Sequence, residues 1–169
     1  MAKKILILGI MFIMALGFFT GCSSGIKFNV AYDAKGSFGH REVDDEASAF
    51  YTLGFVSSLQ ELKDLCDEWN NPAFDESSES FSNELSTKIR NYDEAYFSEK
   101  ILIIYSFDRG HGKETRITGI NLDREQLTVN ARYINKRGAF TAEAFIWLIL
   151  IEVNKADIAG ANTIQVVYK

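Results

Sequence analysis

Apolar and polar residues along the chain alternate, cluster or recur at helical spacing in separate stretches, and each pattern predicts an element. Ile26, Phe28, Val30 and Tyr32 alternate with Lys27, Asn29, Ala31 and Asp33. A period of two gives one buried face, so this stretch predicts a strand. Residues 34–47 are polar, carry Gly36 and Gly39, and predict a loop. Residues 49–56 are apolar and aromatic and predict a second strand. Ser58-Leu59-Gln60-Glu61 has the spacing of a capping box. It opens a helix on which Leu59, Leu62, Leu65, Cys66 and Trp69 share a stripe. Asn70-Asn71-Pro72 ends that helix, because Pro cannot continue the backbone ladder. Residues 75–80 are acidic and Ser-rich and predict a loop. Phe81, Leu85, Ile89 and Tyr92 predict a second helix, and Tyr96 and Phe97 a short turn after Asp93.

From Ile101 the pattern becomes β. Residues 101–105 are apolar on both faces, as in a central strand. Residues 108–113 are polar and Gly-bearing and predict a connection, read as a hairpin. Residues 116–122 predict the next strand. Leu127, Val129, Ala131 and Tyr133 alternate with Thr128, Asn130 and Arg132, and predict another. After a loop over 135–141, residues 144–151 are almost wholly apolar. Eight residues suit a buried strand and are too few to cross a bilayer. Residues 155–161 turn the chain, and Ile164, Val166 and Tyr168 predict the last strand. Helices grouped between strands, with short strand connections, predict an α+β fold. Its sheet is largely antiparallel, with two or three helices between N-terminal strands and a C-terminal run of about five strands. The pattern leaves open whether the sheet is single-layered or curls into a sandwich.

The first residues carry a different signal. Lys3 and Lys4 precede an apolar stretch over 5–19, and Thr20-Gly21-Cys22 follows, then Ser23, Ser24 and Gly25. A basic start, a short apolar stretch and small residues before a cleavage point predict a secretory signal peptide. About 15 apolar residues fall short of the roughly 20 that a spanning helix needs. The Cys after the small pair is the acyl acceptor of a lipobox. Phe19 stands where such sequences carry Leu. The expected organisation is a removed leader over 1–21, acylated Cys22 and a tether over 22–25, and one domain over 26–169. The expected location is the extracytoplasmic face of a cell membrane, held by lipid. Several acyl chains on one Cys, at about 0.8 kcal/mol per buried methylene, anchor firmly.

Removal of the leader takes the 169-residue chain to 148 residues and its net charge from −5 to −7, since Lys3 and Lys4 leave with it. An acidic domain excludes nucleic acid as the expected partner, because neutralising phosphates needs clustered Lys and Arg. With Cys22 acylated, Cys66 has no disulfide partner, and its place in the helical stripe predicts a buried apolar thiol.

Several segments of the β half resemble a set of small, uncharacterised lipoproteins common in Firmicutes. They are Asn91-Tyr92-Asp93-Glu94-Ala95-Tyr96-Phe97 before the 101–105 strand, Arg132-Tyr133-Ile134, and the stretch from Trp147 through Glu152 to Lys155. The resemblance covers about residues 56–168. The β half is more distantly similar to the C-terminal domain of PrcB, a lipoprotein subunit of a surface protease complex. Gly110-His111-Gly112 replaces a Ser-Gly-Ser-containing stretch of those lipoproteins, and the loop over 135–139 lacks their Pro. The recurring residues imply a shared fold, and the likeness to PrcB implies binding of another surface protein as a role.

Candidate chemistry is sparse. Arg109, Gly110, His111, Gly112 and Lys113 form a basic, Gly-bearing connection, with Arg132 on the polar side of a nearby strand. Gly permits close backbone approach, so these residues are candidates for holding an anion or a peptide carboxylate. The same residues also read as a solvated turn. The P-loop, GxSxG and SxxK patterns are absent. His40 and His111 lie far apart with one free Cys, which does not make a zinc site. Asp44-Asp45-Glu46 lacks the spacing of a calcium loop. No metal or other cofactor is expected, and no catalytic residue. Trp69 and Trp147 lie on apolar stripes and read as core. The sequence therefore predicts a non-enzymatic module that binds another envelope or secreted protein through a sheet edge or the Gly-bearing turn. The other reading is a small-ligand or cell-wall glycan binder using Tyr133, Phe140 and Phe145.

Overall fold

The computed structural model describes residues 25–41, 52–110, 112–138 and 143–169. The predicted leader, Cys22, Asp44 to Glu46, His111 and Phe140 lie outside the described residues. In chain order the strands are β1 (Phe28–Lys35), β2 (Leu53–Val56), β3 (Lys100–Gly110), β4 (Lys113–Asp123), β5 (Gln126–Asn135), β6 (Ala144–Asn154) and β7 (Thr163–Tyr168). Three helices, α1 (Leu59–Glu68), α2 (Glu84–Arg90) and α3 (Glu94–Glu99), lie between β2 and β3. The fold is α+β, with the five C-terminal strands the sequence predicts. No helix among the described residues is long and apolar enough to cross a membrane.

The strands form two sheets. The larger has the order β1-β6-β3-β2, and the smaller β4-β5-β7. All pairings are antiparallel except β5 with β7, which is parallel. Parity along the central strands sets three layers. Leu102, Ile104, Leu148 and Leu150 face the helices, while Ile101, Ile103, Ile149 and Ile151 face the smaller sheet. Ile117, Ile120, Leu127 and Val129 complete the second core from the other side. Strands buried on both faces read as unbroken apolar runs, which is why β3 and β6 are apolar throughout.

Two sequence expectations change. The 108–113 connection is no hairpin: β3 pairs with β6 and β2, whereas β4 pairs only with β5. The chain therefore passes from the larger sheet to the smaller between Gly110 and Lys113. Likewise, the β1 alternation does not keep one face. The register against β6 slips between Val30 and Tyr32, so Phe28 packs into the inter-sheet core and Tyr32 into the helix-side core. A β-bulge inserts one residue and turns every later side chain over. Asp33 and Lys35 are thereby placed on the face toward the smaller sheet.

The helices are fixed by caps. Ser58 Oγ accepts from Glu61 N–H, and the Glu61 carboxylate accepts from Ser57 N–H, a reciprocal cap displaced by one residue from the predicted box. Asn83 and Asp93 cap α2 and α3, accepting from Ser86 N–H and Tyr96 N–H. Residues 75–80 are more regular than a loop, since Glu79–Ser82 forms a 3-10 turn capped by Ser78. Gly39 allows the chain to cross the end of α1: a Cβ there would lie 2.2 Å from the Trp69 carbonyl oxygen. Cys66 and Trp69 are buried in the helix-side core, and burial pushes the Cys66 thiol up to about 12.

Candidate functional site

The described part of the chain enters the fold at one end of the larger sheet and gathers Arg109, Lys35 and Lys136 at the other. Phe28 opposes Val153 at the entry end; Lys35 opposes Trp147, and Arg109 opposes Phe145, at the far end. Seven residue steps along β1 separate these ends by roughly 23 Å. At the far end β3, β6 and β1 present Arg109, Trp147, Phe145 and Lys35 on the face toward the smaller sheet. Lys136 joins them just after β5, held by its N–H bond to the Gly112 carbonyl at 2.8 Å. Lys35, Arg109, Gly110, Lys136, Phe145 and Trp147 line a cavity of about 230 Å³.

Two of the cations, Arg109 and Lys35, are held over aromatic rings, and Arg109 also by a carboxylate. The Arg109 guanidinium lies 3.0 Å from the Trp147 ring centroid, and its side chain is only 6% exposed. Asp33 fixes both partners: its carboxylate lies 3.8 Å from Arg109 Nη1 and accepts the Trp147 indole N–H. Lys35 Nζ stands 3.5 Å over the Phe145 ring. A cation over an aromatic face gains about 0.5–2 kcal/mol, more as water is excluded. Burial pulls the Arg109 guanidinium below its ordinary range, and the charges of Asp33 and Glu114 pull it back. An arginine keeps its charge throughout the physiological range. The lining thus carries three cations and two aromatic walls, with Asp33 the carboxylate bound to Arg109.

Beside this cavity, tyrosines close the inter-sheet core. Tyr133 stacks on Tyr168 at 4.3 Å between centroids, and the Tyr168 and Tyr105 hydroxyls are 2.9 Å apart. Burial, then bonding to Tyr105 and Tyr133, pushes the Tyr168 phenol up. The Tyr105 and Tyr168 phenols, both raised by burial, stay protonated and neutral at physiological pH. Lys113 Nζ lies 4.9 Å over the Tyr133 ring.

Of the residues singled out from sequence, Arg109 and Gly110 line the cavity. Gly112 supports it through Lys136, and Lys113 stands beside it over Tyr133. His111 lies outside the described residues. Arg132 does not join the group. It opposes Arg116 in the β4–β5 ladder, one residue out of phase with the inward-facing Ala131 and Val129, so it leaves the outer face of the smaller sheet. Phe145 lines the cavity, and Tyr133 is 40% exposed beside it.

Sequence reasoning missed Asp33, Lys35, Lys136 and Trp147. Trp147 was expected in the core; it does pack against the inter-sheet cluster, yet one face carries Arg109. Its two-residue spacing from Phe145, which puts both rings on one strand face, was the available signal. Asp33 and Lys35 carried none, because the bulge that turns them inward has no Gly or Pro to mark it. Among the described residues no group of three or more His, Cys, Asp and Glu is placed to hold a metal ion.

Compared with protein-family models, curated proteins and solved structures, the chain matches none.

Proposed function

We propose that this protein is a lipid-anchored, non-enzymatic binding module on the extracytoplasmic face of a membrane, and that it takes an anionic group of another envelope or secreted protein into the Arg109–Trp147 cavity. One observation carries the reading: three cations converge on an aromatic-walled cavity while Asp33 is the carboxylate bound among them. A carboxylate entering there meets charge-assisted donors already oriented by Trp147 and Asp33. The geometry of the anchor fits this role. Only Ser23 and Ser24 lie between Cys22 and Gly25, and the three residue steps span at most about 10 Å. The cavity lies at the end of β1 remote from that entry, so it points away from the bilayer.

The test uses the full chain in mild detergent. Indole fluorescence follows titration with a short peptide ending in a free carboxylate and with its amidated twin. The acid form is expected to bind at least about 10-fold tighter, as one charge-assisted bond implies. Equal binding of the two forms would remove the anionic reading. Replacing Cys22 with Ala tests the anchor separately: the variant is expected to leave the membrane fraction, and retention there at unchanged mobility would overturn it.

The aromatic walls favour one second reading, a small anionic ligand or an acidic cell-wall glycan seated between Phe145 and Trp147. Stabilisation by such a ligand, with no response to the peptide acid, would select it. A ligand at 100 times its Kd adds about 2.7 kcal/mol.

A further inference from the structure

A second surface lies away from the Arg109 cavity, where β2 is the edge strand of the larger sheet among the described residues, beside α1. The bond from Ser106 N–H to the Thr52 carbonyl makes this a hydrogen-bonded pair of the β2–β3 ladder. Antiparallel pairs alternate, so Gly54 and Val56 also bond to β3. The N–H and C=O of Leu53 and Phe55 therefore point outward. No backbone bond outside the sheet reaches either residue among the described residues. Next to this edge runs a groove of about 520 Å³ between β2 and α1. It exists because Gly54 faces the helix without a side chain: a Cβ there meets nothing within 4 Å.

The far wall of the groove is one face of α1. Glu61, Asp64, Leu65 and Glu68 recur at helical spacing along it. Arg41 is the cation of the lining, and it pairs with Glu68 at 3.1 Å. Three carboxylates against one cation leave two negative charges in excess. Arg41 Nε is buried there with no hydrogen-bond partner.

We infer that this groove accepts an extended, basic peptide segment as an added strand on β2, with its cationic side chains against Asp64 and Glu68. Main-chain bonds to Leu53 and Phe55 supply register, and the acidic helix wall selects charge. A second copy of this chain is disfavoured, since pairing two β2 edges brings two acidic α1 faces together. The inference does not rest on the Arg109 cavity, which lies at the end of the sheet on the face toward the smaller sheet and selects the opposite charge.

The test is fluorescence anisotropy with the full chain in mild detergent and three labelled heptapeptides. One alternates Lys and Val, one alternates Glu and Val, and one is the Lys/Val peptide N-methylated at alternate residues. The basic peptide is expected to bind at least about 10-fold tighter than either of the others, because strand addition needs both charge and free N–H groups. Gly54→Val fills the groove with a residue suited to strands and is expected to abolish binding while leaving Tm unchanged or raised. Asp64→Lys and Glu68→Lys, both on the solvent side of α1, are expected to reverse the charge preference. Equal binding of the acidic peptide overturns the proposal, as does undiminished binding by the methylated peptide. Undiminished binding by Gly54→Val overturns it too, and so does association of the chain with itself that Gly54→Val abolishes.

Discussion

Trp147 and Glu152 lie five residues apart on β6 and organise charged groups of opposite design. Glu152 faces the helices. Its carboxylate lies 3.5 Å from Lys88 Nζ and 3.7 Å from Lys100 Nζ, and it accepts from Tyr92 Oη at 3.3 Å and Asn29 Nδ2 at 3.1 Å. One acid there serves two cations and two neutral donors, and its side chain is 12% exposed. Nearby Lys155 donates to the Ser57 and Phe97 carbonyls. This group ties helices to sheet. Trp147 faces the other way, and its group holds three cations around a cavity with Asp33 as the bound carboxylate. The first group surrounds one acid with four partners; the second has charge in excess and space for a ligand. The difference teaches how to separate holding from binding when both use the same residue types.

The largest expected effect belongs to the helix side and is set by pH. Burial raises the Cys66 thiol to about 12, and burial followed by the charge of Glu152 raises the Tyr92 and Tyr96 phenols. Below about pH 9 folded and unfolded chains both keep the thiol proton, and stability is at its plateau. Above it the unfolded chain releases the proton and the folded chain does not. Stability then falls with rising pH until the folded thiol ionises near 12. By pH 11 the thiol alone costs about 3 kcal/mol. Denaturant titrations from pH 7 to 11 check this, and Cys66→Ala should flatten the fall while Arg109→Gln should not.

Next in size is the removal of Glu152. Glu152→Ala leaves Lys88 and Lys100 facing each other's charge and Tyr92 Oη without its acceptor. Both lysines are partly exposed, which discounts the ion pairs, so the loss is about 2 kcal/mol. That lowers Tm by roughly 4–8 °C for a domain of this size. Calorimetry checks it, and binding of the carboxylate peptide should be unchanged. Arg109→Gln should invert the outcome. Asp33 keeps its Trp147 bond, so stability falls by about 1 kcal/mol, while peptide affinity drops at least about 10-fold. A variant that moved both properties equally would erase the distinction between the two groups.

How far these groups were legible in the sequence follows the same line. The layered core was legible because β3 and β6 are apolar at every position, which only a strand covered on both faces permits. The cap of α1 was legible because Ser58 acts on its own local backbone; the caps at Asn83 and Asp93 were not read from the sequence. Pairing of β3 with β4 was misread, since a short polar turn joins two strands equally well within a sheet or between sheets. Arg109 and Gly110 were found through their Gly-bearing context. Lys35 and Asp33 were not, because their direction depends on a bulge at Ala31 fixed by the register against β6. Arg132 was assigned to the site from its chemistry, but strand parity turned it to the opposite surface. Chemistry near a turn is visible in one dimension; the face it lands on is decided by pairing partners far along the chain.

Arg132 and Lys136 provide the finest separation. Both are exposed cations four residues apart, and replacing either with Ala removes one positive charge. Neither change should alter stability by more than about 0.5 kcal/mol, because neither side chain is buried. Arg132→Ala also relieves a like charge across the ladder from Arg116. If overall charge attracted the anionic partner, the two variants would weaken binding alike, mainly through the association rate, and added salt would erase both effects. If the cavity binds it, Lys136→Ala should weaken affinity about 3- to 5-fold with a faster dissociation rate, and Arg132→Ala less than about 2-fold, as for a charge away from the contact. Measuring association and dissociation rates for both variants at low and at 0.15 M salt decides between field and cavity. Equal losses for the two variants would move the recognition surface off the Arg109 cavity altogether.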